Sequence, residues 1–170
     1  MPGTLRCGDL DLCSPTVFTR VLEALTALVR EPRNRYALQL KNRYYFAVPA
    51  SSLTSEAGWY IIYGSDALPL YVGTAENLNG RLNTENGSRD GFANPQRTSD
   101  PERNFIKAFV TAGILSSLSV VVIPESALRS RLGCDEPLSK LDRENLEKMI
   151  NIFRARLCGL TRSGKAEQPA

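Results

Sequence analysis

Two tyrosines and an arginine supply the side chains that a phosphate-cleaving site requires. Tyr60 lies in the run Gly58-Trp59-Tyr60-Ile61-Ile62-Tyr63, Tyr71 in Leu70-Tyr71-Val72-Gly73-Thr74, and Arg81 in Asn77-Leu78-Asn79-Gly80-Arg81-Leu82. Read as strand, tight turn, strand, Gly-containing loop and short helix, these pieces set two phenol hydroxyls on neighbouring strands, about 5 Å apart. Phosphodiester cleavage needs a deprotonated nucleophile, a stabiliser for transition-state charge and help for the leaving oxygen. One phenol can act as, or pass a proton to, the general base while the other orients the attacking water. Arg81 offers a planar, permanently charged fork for a phosphate. A divalent cation on a carboxylate would neutralise the leaving side. Taken singly, each tyrosine is better read as an ordinary strand aromatic, since strands favour Tyr, and Arg81 as a solvated helix residue. The joint spacing is what points to chemistry.

The elements that would position these groups follow from pattern. Ser14-Pro15 is a capped helix start, followed by Val17, Phe18, Val21, Leu22, Leu25, Leu28 and Val29 at helical spacing, with Pro32 as the stop. Residues 35–48 read as an extended pair around Lys41-Asn42-Arg43. Strands are expected at 59–64 and 69–73, and a helix opening near Glu76 or Asn77. Residues 83–101 form a long polar loop rich in Asn, Gly, Ser, Asp, Pro and Arg, and a second helix runs from Asp100-Pro101 to Gly113. Leu118-Ser119-Val120-Val121-Val122-Ile123-Pro124 is the clearest strand, nearly continuously apolar as a central strand is. Residues 126–137 read as a mixed connector. The last helix, 141–157, buries Leu146, Met149, Ile150, Phe153 and Leu157.

Composition narrows the chemistry further. A chain of 170 residues that is 42% hydrophobic and 23% charged fits one soluble globular domain with an appendage. There is no histidine, which excludes His-ligated metal, Ser-His-Asp and Cys-His mechanisms. No Cys-x-x-Cys pair joins Cys7, Cys13, Cys134 and Cys158, so structural zinc is not expected, and reduced thiols in a cytoplasmic protein are. The start Met1-Pro2-Gly3-Thr4 lacks the regions of a signal peptide, and no apolar run is long enough to span a membrane. A net charge of +3 argues only mildly for a polyanionic partner.

The arrangement resembles the GIY-YIG nuclease family. Gly58-Trp59-Tyr60 stands for its first motif, Tyr71-Val72-Gly73 for its second, and Asn77-Leu78 with Arg81-Leu82 for the helix that follows. The resemblance implies an α/β (α+β) core at 58–158, a small three-stranded sheet flanked by helices. Residues 1–57 would be an N-terminal extension, a helix and extended pair packed on that core, and 159–170 a disordered tail. It also implies a metal-dependent endonuclease hydrolysing DNA phosphodiester bonds, restriction-type in role, with RNA left open as a substrate. Tyr60, Tyr71, Arg81 and Glu147 would be catalytic, with Glu147, or alternatively Glu144, holding Mg²⁺ or Mn²⁺. A histidine-free, oxygen-only, largely hydrated site suits Mg²⁺.

Arg89, Arg97, Arg103 and Lys107, on the polar loop and the helix after it, are the candidate nucleic-acid contacts. The chain departs from the family pattern at Thr74, where a lysine is frequent, at Glu85, where His or Tyr is common, at Ala155, and at Cys158, where an asparagine is usual. The alternative reading is therefore a catalytically inactive nucleic-acid-binding or protein-interaction module on the same fold.

Overall fold

β5 (Leu118–Pro124) is the strand around which the chain assembles, because its apolar run can be buried on both faces. It pairs with β3 (Gly58–Tyr63) on one side and with β1 (Arg35–Lys41) on the other. β4 (Pro69–Ala75) extends the sheet beyond β3, and β2 (Tyr44–Val48) beyond β1. In this computed structural model, which describes residues 10–41, 44–64, 69–83, 118–157 and 159, the sheet order is β2-β1-β5-β3-β4 and every pairing is antiparallel. The mixed α/β class agrees with expectation, but the sheet has five strands rather than three. The extended pair at 35–48 is not laid against a finished sheet. It continues the ladder through β1 on β5.

Four helices surround the sheet among the described residues: α1 (Pro15–Arg30), α2 (Leu78–Asn83), α3 (Glu125–Leu132) and α4 (Lys140–Leu157). Ser14 caps α1 by accepting a hydrogen bond from Val17 N at 3.5 Å, and Pro15 takes the first helical position. α3 overturns the expected connector at 126–137. It lacks a cap of its own, since Pro124 stands at the N-cap, and Glu56 supplies one from elsewhere: its carboxylate accepts from Ser126 N at 3.1 Å and Ser126 Oγ at 2.9 Å. Gly133, in the left-handed region at φ 72°, ends the helix.

Strand alternation divides the core in two. Trp59, Ile61, Tyr63, Val72, Val121 and Ile123 face α1, α3 and α4. Tyr60, Ile62, Tyr71, Val120 and Val122 face the other way, with Leu78 and Leu82 of α2. Each fully buried side chain of this kind contributes about 1.5–3 kcal/mol. α4 is pinned to the first face by Trp59, whose Nε1 donates to Arg143 O at 3.0 Å. Glu125, only 5% exposed, is paired as a buried charge must be: it accepts from Leu138 N at 2.8 Å and from Arg143 Nη1 at 3.2 Å.

The expectation of reduced thiols fails at Cys134, which is buried and disulfide-bonded, while Cys13 is free and exposed. The helix expected over 101–113, the polar loop from 84 onward and the tail beyond 159 lie outside the described residues.

Candidate functional site

The two glycines of the paired motifs are explained by what presses on them. Tyr60 is opposite Gly73 and Ile62 opposite Tyr71, so the tyrosines are diagonal neighbours on one face of β3 and β4. Their ring centroids are 6.1 Å apart, inclined at 38°. A Cβ on Gly73 would lie 2.4 Å from Tyr60 Cζ, so the Tyr60 ring crosses bare backbone there. A Cβ on Gly58 would lie 2.3 Å from Ile123 O and 2.8 Å from Leu78 Cδ1. Gly58 thus lets α2 settle directly onto the start of β3.

α2 is a short helix held largely by groups outside it. Asn77 caps it, its Oδ1 accepting from Gly80 N at 2.7 Å. Leu78 N and Asn79 N donate to Glu56 O and Thr54 O, each at 3.0 Å, and Asn79 Nδ2 donates to Leu53 O at 3.0 Å. Leu78 and Leu82 pack beside Tyr60 and Tyr71, which sets the helix bearing Arg81 on the tyrosine face. Arg81 itself is half-buried. Tyr60 is 1% exposed and Tyr71 8%, so both tyrosines are buried and Tyr71 is the less so.

Glu147 is placed differently. It is half-buried at the margin of the α4 stripe formed by Leu146, Met149 and Ile150, and that stripe packs on the face opposite the tyrosine pair. Glu144 is exposed and reaches Lys140 Nζ at 3.9 Å, an ordinary surface pair. Among the described residues no three Cys, Asp or Glu side chains gather as a metal cage. These donors do not fit a closed divalent site. Arg89, Arg97, Arg103, Lys107, Glu85 and Cys158 lie outside the described residues.

Two features had little or no local signal. Glu56 reads as a lone loop carboxylate, yet its main chain caps α2 while its side chain caps α3. Asn83, at the end of α2, buries both Oδ1 and Nδ2 without a hydrogen-bond partner among the described residues, a rare condition in a folded chain. Compared with known protein families, curated proteins and solved structures, the chain finds no match.

Proposed function

We propose that this protein is a GIY-YIG-type endonuclease that hydrolyses DNA phosphodiester bonds. The observation that carries the reading is the placing of Tyr60 and Tyr71 on one face of adjacent strands, with the Arg81 helix packed on that same face. The run strand, strand, helix from β3 to α2, with β5 and then α3 and α4 after it, supports it as well.

In this reading Tyr71, the more accessible phenol, orients the attacking water, and Tyr60 tunes it from the protected side. Arg81 meets the negative charge that builds on the phosphate oxygens. Glu147 is the carboxylate that the resemblance offers for Mg²⁺ or Mn²⁺, but it rises from α4 across the sheet from Tyr60, Tyr71 and Arg81. A restriction-type role is part of the proposal.

A specific observation favours the second reading, an inactive binding module. Tyr60 is nearly inaccessible, and Glu147 rises from a helix on the far face of the sheet. Incubating the full chain with supercoiled plasmid, with and without Mg²⁺, separates the two. Metal-dependent nicking abolished by Arg81→Ala supports the nuclease; duplex binding without nicking supports the module.

A further inference from the structure

We propose a second phosphate-binding surface on the face of the sheet opposite the tyrosine pair: Arg33 and Arg131, bracketed on Glu31, clamp the sugar-phosphate backbone of a nucleic acid. Glu31 is the C-cap residue of α1, Arg33 lies in the 3₁₀ turn Pro32–Asn34, and Arg131 in the last turn of α3. Arg33 Nε donates to Glu31 Oε2 at 2.6 Å, and Arg131 Nη2 donates to the other oxygen, Oε1. One carboxylate therefore holds two guanidinium groups side by side.

Three properties make this corner a receptor rather than a closed ion pair. First, it is over-charged: two arginines share one acid, and the Arg33 and Arg131 side chains are 78% and 41% exposed. Second, donors remain. A guanidinium carries five N–H groups, and among the described residues Arg33 and Arg131 each engage only Glu31. Third, the forks are already oriented, so a ligand does not bear the full entropy of ordering long side chains. A row of fixed forks suits a ligand that repeats its anion at a set spacing, as a nucleic-acid backbone does. The clamp shares the partner of the reading above but not its chemistry, and it stands whether or not the tyrosine face hydrolyses anything.

The test is a salt series of fluorescence-anisotropy titrations on the full chain with a labelled random-sequence duplex. All variants carry Arg81→Ala, so that cleavage does not interfere. Adding Arg33→Gln and Arg131→Gln together should make the slope of log affinity against log salt shallower by about 2, at roughly 0.9 per lost phosphate contact. Arg33→Gln alone, at a side chain 78% exposed, should remove about half of that. Unchanged slopes in both variants would overturn the clamp. So would a polyglutamate peptide that binds through the same arginines more tightly than the duplex. Plasmid nicking by the chain with Arg81 restored reports on hydrolysis alone, so failure of one idea is distinguishable from failure of the other.

Discussion

The Tyr60 ring occupies the space that Gly73 leaves open on the neighbouring strand: a methyl group there would meet Tyr60 Cζ at 2.4 Å and its hydroxyl oxygen at 2.5 Å. One motif's aromatic residue and the other motif's glycine are thus a single packing unit. Gly73→Ala forces the ring off its rotamer or the strands apart, and should cost about 1–3 kcal/mol in denaturant unfolding. In a Tyr60→Ala background the same substitution should cost much less. Equal costs in the two backgrounds would show that the contact is not what requires the glycine.

Arg81→Ala should leave the thermal melt nearly unchanged, because the anchors of α2 are Leu78 and Leu82 rather than Arg81. Cleavage should fall about a hundredfold, since a guanidinium on transition-state charge is worth on the order of 3 kcal/mol. Activity within a fewfold of wild type removes Arg81 from the mechanism.

Glu147→Gln keeps size and packing but removes the charge. If Glu147 holds the cation, Mg²⁺-dependent nicking should disappear in this variant and survive in Glu144→Gln. The reverse outcome moves the metal to Glu144, and full activity in both removes α4 from the site.

Glu31 gives a pH prediction. Its carboxyl is held below the usual range by hydrogen bonds from Arg131 first and Arg33 second. A carboxyl whose folded pKa is depressed stabilises the fold above the unfolded-state pKa, and that stabilisation is lost as pH falls through the folded value. Wild type should be more stable than Glu31→Gln at neutral pH, and the two should converge in strong acid. Because the pair is exposed, the gap should also shrink at high salt. Parallel stability–pH curves would show that the pair contributes nothing to folding.

What could be read in advance was whatever the chain encodes locally. Ser14-Pro15 starts α1, the apolar run makes β5, and the α4 stripe of Leu146, Met149 and Ile150 falls as its periodicity predicts. The tyrosine pair was legible because alternation on two strands joined by a short connection fixes which side chains share a face. The misses are non-local. That β1 joins β5 depends on a pairing between distant segments, for which Arg35 to Leu38 carry no mark. The start of α3 was hidden because its capping group is Glu56, not a neighbour of Ser126. The register that singles out Glu147 rests on a local sequence pattern, which says nothing about which side of a sheet a helix will cover.

The position of Glu56 has a mechanical consequence. Its carbonyl oxygen holds the first turn of α2 and its carboxylate the first turn of α3, while the carbonyl of the next residue, Ala57, accepts from Glu125 N at 2.9 Å. α2 carries Arg81 on one face of the sheet, and α3 carries Arg131 on the other. The segment from Thr54 to Ala57 therefore works as a rivet through the edge of the fold. A load that tilts either helix is transmitted to its counterpart across the sheet through a single side chain and three carbonyls.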